Sequence, residues 1–364
     1  MRVAVGLAVA AAVLALTGCS LQPEGIPSSP VTQSSPVTQS SPVTQSSPAQ
    51  SQAPPEAAGP AYELGVDLDF YWYAHEDVTK LVTADAAYAR GLGANSVLIA
   101  FPVYTDGRIA AAGAATPPLA AVREAVAAAR AQGLSVGLRP LLDEANLKHY
   151  RTGFRPADVT RWLASYRALI VPYARVAQQA GATRFYTGAE LSEFAHAAGW
   201  QQVNQAVRAV FSGQLFFSAN WAADSDTPQL AGSGGPGVTV AVDAYQPLPV
   251  PVAGFTAAWA AKAAVLPRGT VVSEVNIAAR SGAQRAPYVW APSNAPLDPG
   301  LQAAWFTAAC DAVAADHLGG IYFWAVNVGQ TLTVPPAPRT ANQFTDSPGA
   351  RAIKACFATL GGGR

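Results

Sequence analysis

Apolar and polar positions follow a regular order along this chain. From residue 63 onward, eight short apolar runs bounded by polar or turn residues are typical of buried strands. They are YELGVDLDFYW, NSVLIAFPVY, LSVGLRPLL, TRFYTGAEL, QLFFSANW, VTVAVDAYQPL, TVVSEVNIA and GGIYFWAVN. Their starts are about 37 residues apart on average, which leaves room for a helix between most neighbours.

Helical spacing of apolar residues appears between the runs. In TPPLAAVREAVAAARAQG, Thr116 is a candidate N-cap, Pro117 suits the first turn and Gly133 suits the end of the helix. One face of this predicted helix carries Leu119, Val122, Val126 and Ala129. RPADVTRWLASYRALIVPYARVAQQAGA and DPGLQAAWFTAACDAVAADHLGG have a similar pattern.

Strands that alternate with helices indicate a parallel sheet, and eight such units predict one closed (β/α)8 barrel over residues 61–360. The alternative is a doubly wound open sheet. No glycine-rich phosphate-binding turn follows the first run, which disfavours that alternative.

The N-terminal segment has a different composition. Arg2 followed by the apolar stretch 3–16 predicts a signal peptide over residues 1–18. LTGC resembles the bacterial lipobox, so we expect acylation of Cys19 and an extracytoplasmic protein anchored to the cell membrane. An ordinary signal peptide with an incidental cysteine is the alternative. Residues 19–60, rich in Ser, Pro, Thr and Gln and carrying a six-residue repeat, predict a disordered tether.

The charge and cysteine content bear on the protein's partners and on a possible disulfide. Only 13% of the 364 residues are charged, and 23 basic residues balance 23 acidic ones. Without a basic patch we expect no nucleic-acid partner, and we expect a monomer. Cys310 and Cys356 are either a disulfide, which an exported protein permits, or two separate buried thiols.

Two glutamates interrupt apolar strands. Glu190 ends the fourth run and Glu274 lies in the seventh, and strands four and seven are nearly opposite across a barrel. Paired carboxylates facing one cleft are the arrangement for hydrolysis of a glycosidic bond. Glu193 falls beyond the strand, where a helix N-terminal acid is the simpler interpretation. Arg139, at the end of the third run, is a candidate for holding negative charge nearby.

Aromatic residues near strand ends are suited to stack on sugar rings. They are Tyr71, Trp72, Tyr104, Trp221, Tyr245, Trp290 and Trp324. By contrast, Trp162, Trp259 and Trp305 fall on predicted helices, where we expect them in the core. The four histidines, at 75, 149, 196 and 317, lack metal-ligand spacing, so we expect neither a metal nor a cofactor.

FYTGAELSEF, VDAYQPL and SEVNIAARSGAQRAP resemble segments of glycoside hydrolase family 113, which comprises retaining β-mannanases. The resemblance implies hydrolysis of a β-linked, mannan-like polysaccharide or oligosaccharide, with Glu190 as acid/base and Glu274 as nucleophile. It also implies that Tyr245 orients the nucleophile and that Trp324 is a sugar platform. Asn220 and Trp221 resemble the end of the family's fifth strand and are further candidates for substrate binding, with Tyr71 and Arg139.

Two alternatives remain open at this point. One is a hydrolase of another cell-envelope or plant glycan. The other is a carbohydrate-binding lipoprotein without catalytic activity, although binding alone does not require a carboxylate on each side of the bond.

Overall fold

The folded part of the chain is a closed barrel of parallel strands. The computed structural model describes residues 62–74, 76–143, 147, 150–221, 230–289, 294–332 and 342–362. Its strands are β1 (Glu63–Asp69), β2 (Ser96–Thr105), β3 (Ala110–Ala111), β4 (Ser135–Leu142), β5 (Arg184–Ala189), β6 (Gln214–Trp221), β7 (Thr239–Ala244), β8 (Val271–Val275) and β9 (Gly320–Asn327). All except β3, which is antiparallel to β2, belong to the barrel. Because β1 pairs with both β2 and β9, the sheet closes, and the open-sheet alternative is wrong.

Helices connect the strands around the outside. They are α1 (Val78–Leu92), α2 (Leu119–Ala131), α3 (Val159–Ala180), α4 (Trp200–Arg208), α5 (Phe255–Ala263), α6 (Pro299–Ala315) and α7 (Pro348–Gly362). Each of the eight apolar runs forms one barrel strand, so the predicted (β/α)8 barrel is confirmed. The predicted signal peptide, Cys19 and the tether to residue 60 lie outside the described residues.

Aspartate caps begin three of these helices. Asp77, Asp158 and Asp298 each accept a hydrogen bond from the backbone N–H three positions on, which satisfies one donor of the first turn. The expected cap at Thr116 is wrong. Its hydroxyl donates instead to the Pro102 carbonyl at 2.8 Å, and α2 begins only after Pro118.

The inside of the barrel is layered. Near the N-terminal strand ends, Arg184 Nε donates to Glu63 Oε1 at 2.9 Å and Tyr322 Oη donates to Glu63 Oε2 at 2.9 Å. The next layer, mostly apolar and aromatic, contains Leu98, Tyr186, Phe216, Ala241, Val271 and Tyr322. Charged side chains lie beyond it, towards the C-terminal strand ends, where barrel enzymes place their chemistry.

Outside the barrel, a disulfide joins the last two helices. Cys310 of α6 and Cys356 of α7 are bonded, with their Cα atoms 5.7 Å apart. The three helical tryptophans are buried in the core, as expected: Trp162, Trp259 and Trp305. Within the described ranges, every helix is too short or too polar to cross a bilayer.

Candidate active site

Glu190 follows β5 directly, at a local irregularity of the strand. The pairing of β5 with β6 shifts by one residue between Tyr186 and Gly188, and Glu190 itself has a left-handed φ of 56°. Such irregularities near strand ends redirect side chains. The Glu190 N–H donates to the Ser218 carbonyl at 2.9 Å, which anchors this backbone, and the side chain is buried.

Three side chains surround the Glu190 carboxylate. Tyr150 Oη donates to its Oε2 at 3.0 Å, and Asn220 Nδ2 donates to its Oε1. Arg151 Nε lies 3.8 Å from Oε2. Asn220 was a candidate from the sequence. Tyr150 and Arg151 were missed, because they lie in a loop and a three-residue 3-10 helix that no periodic pattern marks.

Glu274 enters the barrel because β8 carries an extra residue. Between Val272 and Val275 the pairing with β9 shifts by one residue, so both Ser273 and Glu274 can reach inward while the two valines pack outside. Arg139 Nη1 lies 3.0 Å from Glu274 Oε1. Tyr245 lies close to Glu274: burial raises the pKa of Tyr245 well above its ordinary value, and the charge of Glu274 is the next largest cause.

Asp243 is the third buried acid of this cluster and was not singled out from the sequence. Arg139 Nη2 donates to its Oδ2 at 2.6 Å, and Ser273 Oγ donates to its Oδ1 at 2.8 Å. The signal for it was available, since an acid interrupts the apolar strand two positions before Tyr245. Asp243 fixes the guanidinium that contacts Glu274.

The three acids are close together. Glu190, Asp243 and Glu274 each present one carboxylate oxygen, and these oxygens lie within 4.8 Å of one another. Three carboxylates at this spacing have the geometry to hold a cation. Here the guanidinium of Arg139 already lies against two of them, Asp243 and Glu274.

Burial dominates the electrostatics of the cluster. It raises the pKa of Glu274 well above its ordinary value; Arg139 opposes this effect, while Asp243 and Glu190 add to it. Burial also raises the pKa of Asp243 to about 6, again opposed by Arg139. Burial lowers the pKa of Arg139, but the surrounding carboxylates outweigh it and leave that pKa raised. The arginine is therefore a permanent cation at the centre of the acids.

A second polar group lies at the end of β1. Tyr71, half-buried, donates from Oη to Asp143 Oδ2 at 2.5 Å. Asp69 lies near Asp143 and Arg151, whose charges act on its pKa. Because Arg151 also approaches Glu190, this group adjoins the paired glutamates. Tyr71 is thus beside the cluster, as a substrate-binding role requires.

The aromatic candidates divide by exposure. Trp324 in β9 is half-buried and keeps part of its side chain accessible. Trp221 is wrong as a sugar-binding candidate, because it is 0% exposed and packs in the hydrophobic core. Its position at the end of β6 suggested the cleft, but its side chain points to the opposite side of the strand from Asn220. Trp290 lies outside the described residues.

Glu193 lies beyond the strand, as expected. It belongs to a short 3-10 helix, Ser192–Phe194, and its side chain is exposed. Only its backbone carbonyl has a described contact, a hydrogen bond from Arg155 Nη1 at 2.8 Å. Of the two acids in this segment, Glu190 alone faces the cluster.

A (β/α)8 barrel with two buried glutamates facing each other at its C-terminal end has the architecture of a large class of glycoside hydrolases. The model of Glycoside Hydrolase Family 113 matches residues 93–332. This is more than half of the chain, so the chain belongs to this family and is a glycoside hydrolase. The match includes Arg139, Glu190, Tyr245 and Glu274.

Solved structures agree on the fold. A GH113 β-1,4-mannanase aligns at 17% identity with a TM-score of 0.66, covering 80% of this chain and 98% of that chain. A GH113 β-mannanase from Alicyclobacillus acidocaldarius aligns at 18% identity with a TM-score of 0.66, covering 82% and 98%. A GH5-4 broad specificity endoglucanase from an uncultured bacterium is more distant, at 14% identity, a TM-score of 0.52, and coverage of 82% and 95%. No curated protein sequence matches the chain.

Proposed function

We propose that this glycoside hydrolase cleaves β-linked mannan-like polysaccharides or oligosaccharides with retention of configuration. The observation that carries the mechanism is the carboxylate spacing. Oxygens of Glu190 and Glu274 lie within 4.8 Å of each other. Retaining enzymes separate their carboxyl groups by about 5–5.5 Å, whereas inverting enzymes need about 6.5–9.5 Å to fit a water molecule.

The two glutamates take different roles because their partners differ. Glu274, in contact with Arg139, attacks the anomeric carbon as a carboxylate while Glu190 donates a proton to the departing glycosidic oxygen. The C–O bond breaks and a glycosyl ester of Glu274 forms. Water then attacks the anomeric carbon as Glu190 takes a proton from that water, the bond between this carbon and Glu274 breaks, and Glu274 is released as a carboxylate.

The remaining contacts suit supporting roles. Arg139 and Tyr245 hold the Glu274 carboxylate, and Asn220 with Tyr150 holds that of Glu190. Trp324, partly accessible, would stack on a sugar ring. The mannan preference draws support from the solved family members, which are named β-1,4-mannanases.

Hydrolysis of a polysaccharide panel tests this proposal. The purified protein is incubated with β-mannan, β-glucan, xylan and galactan, and released reducing ends are measured. We expect cleavage of β-mannan, with the β-anomer as the first product by NMR. Glu190→Ala should lower kcat/KM by about 10²- to 10⁴-fold, as loss of a general acid does, and Glu274→Ala by at least as much.

Glu193→Ala is the matched control. That exposed glutamate lies three positions from Glu190, and its replacement should leave the rate unchanged.

Azide separates the roles of Glu190 and Glu274, because it can replace the missing carboxylate in either variant. With an aryl β-mannoside, Glu274→Ala should give the α-glycosyl azide and Glu190→Ala the β-glycosyl azide. An α-anomer as the first product of the wild type would contradict retention. Binding without turnover on any glycan would support the carbohydrate-binding alternative.

We further propose that acylated Cys19 anchors the protein outside the cytoplasm. The support is the lipobox-like LTGC sequence and the disulfide between Cys310 and Cys356, a bond typical of exported proteins. Cell fractionation tests the anchor. Wild type should be recovered with membranes, and Cys19→Ala should lose the lipid; equal lipid labelling of both proteins would contradict it.

A further inference from the structure

Asp67, in the middle of β1, is a buried carboxyl group without a described partner. Its side chain is 0% exposed, and among the described residues neither carboxylate oxygen has a hydrogen-bond donor. Across β2 the paired residue is Leu98, which belongs to the apolar and aromatic layer inside the barrel. An ionised carboxylate is costly to bury in such surroundings without a donor or a cation.

The charges that face Asp67 are mostly negative. They are Glu274 on β8, Arg139 on β4, Asp243 on β7 and Asp69 on its own strand. Arg139 is the one cation among them, and its two terminal nitrogens lie against Asp243 at 2.6 Å and Glu274 at 3.0 Å. If every acid were ionised, a single guanidinium would face several buried negative charges. The cluster must therefore hold at least one proton.

We propose that Asp67 holds this proton and thereby leaves Glu274 ionised as the nucleophile. The inference rests on the proposed function for the role of Glu274. Of the two acids, Glu274 forms an ion pair with Arg139, whose Nη1 lies 3.0 Å from its Oε1, whereas neither oxygen of Asp67 has a described ion pair or hydrogen-bond donor. Asp67 touches no reacting atom and is a positioning residue. Because it is neutral, it adds no negative charge beside the nucleophile.

The direction of the Asp67 pKa agrees with this geometry. Burial raises it well above the ordinary value; the charges of Glu274 and Asp243 add to the effect, and Arg139 opposes it. Glu274 is also raised by burial, so the two carboxyl groups compete for protons. A neutral Asp67 removes one negative neighbour from Glu274, and this makes ionisation of Glu274 easier.

Infrared spectroscopy tests the proton directly and needs no turnover. In the wild-type minus Asp67→Asn difference spectrum at mildly alkaline pH, we expect the loss of a C=O stretch from a protonated carboxyl group. Asp85→Asn is the matched control, since Asp85 is also 0% exposed but accepts hydrogen bonds from Gly329 and Thr331. It should lose carboxylate bands only. Loss of carboxylate bands alone in Asp67→Asn would overturn the proposal.

The pH profile of kcat/KM supplies a second readout. If Asp67 is already neutral, Asp67→Asn should leave the acidic limb where it is in the wild type. If Asp67 is ionised, its removal lowers the pKa of Glu274 and moves that limb to lower pH, which contradicts the proposal. Asp67→Ser gives the same test if the asparagine variant does not fold.

Two results keep this inference separate from the proposed function. Wild type labelled with 13C-carboxyl aspartate should show a label-shifted acid band without any substitution, and its absence counts against Asp67 as proton holder. If no glycan in the panel is cleaved, the proposed substrate fails, but the infrared result still decides where the proton resides.

Discussion

Asp69 ends β1 at the edge of the candidate site, where burial and charge act on it together. Burial raises its pKa to about 7; Arg151 opposes the rise and Asp143 adds to it. In the unfolded chain the group has its ordinary pKa, near 3.9. The folded protein therefore binds this proton more tightly. The resulting stabilisation is complete at acid pH and is lost as the pH rises through about 7.

Replacement of Asp69 by Asn should remove this pH dependence. A pKa difference of this size corresponds to about 4 kcal/mol for a fully buried group, and partial exposure reduces the expected effect to about 2 kcal/mol. As the pH rises from about 4 to above 7, the wild type should lose about 2 kcal/mol of unfolding free energy that Asp69→Asn keeps. The difference in unfolding free energy between the two proteins should therefore shift by that amount in favour of Asp69→Asn. Urea unfolding across the pH range measures it. A difference that stays constant with pH would count against a protonated Asp69.

At the scale of elements, the spacing of apolar residues predicts which segments form buried strands and helices, because that depends on burial alone. All eight strands were visible because their apolar residues are continuous, and α2 was visible from Val122 and Val126, which are both buried. The ends of elements depend on contacts between distant segments. Thr116 was expected to cap α2, but it bonds to the carbonyl of Pro102 instead.

The same limit applies to the candidate site. Glu190 and Glu274 were visible because an acid in an apolar strand is unusual. The local irregularities that turn them into the barrel follow from strand pairing and leave no sequence pattern. Asp67 and Asp243 interrupt strands in the same way, yet their importance becomes evident only when Arg139 is seen among them. Trp221 shows the converse, a strand-end aromatic that faces the core.

One contact between elements is suited to a direct test. Asp85 of α1 accepts hydrogen bonds from the N–H of Gly329 at 2.5 Å and from the N–H and hydroxyl of Thr331 at 3.1 and 2.6 Å. These hydrogen bonds hold the segment after β9, which contains Gly329 and Thr331, against α1. Since the donors are left without a partner when the carboxylate is removed, Asp85→Ala should cost about 1–3 kcal/mol of unfolding free energy.

Hydrogen exchange distinguishes this local role from general destabilisation. In Asp85→Ala the amides of Gly329 and Thr331 should exchange faster than those of the barrel strands. Asp77→Ala is the control at the start of the same helix, because Asp77 caps α1 and the one described hydrogen bond to its side chain comes from the Lys80 N–H. It should cost about 1 kcal/mol and leave those two amides unchanged. Equal acceleration in both variants would contradict the assigned contact.

At the scale of the whole molecule, the barrel closes where its first and last strands meet. β1 pairs with β9 there, and α7, the last helix, packs against α1, α6 and β1. The Cys310–Cys356 bond ties α7 to α6 across a sequence separation of 46 residues. It therefore links α7 covalently to α6, the helix that precedes β9, independently of the hydrogen bonds between β1 and β9.

Removal of this bond should destabilise the fold without altering the candidate site. Closure of a loop of this length stabilises by about 4 kcal/mol in the chain-entropy description, mainly by restricting the unfolded chain. We expect the Cys310→Ala, Cys356→Ala double variant to lose about that much free energy of unfolding in urea, and to keep the kcat/KM of the wild type while it remains folded. A reductant should lower the stability of the wild type towards that of the variant and leave the variant unaffected. If the reductant changes neither protein, the disulfide does not form in solution; if it lowers kcat/KM of the folded enzyme, closure of the barrel and geometry of the site are coupled through α7.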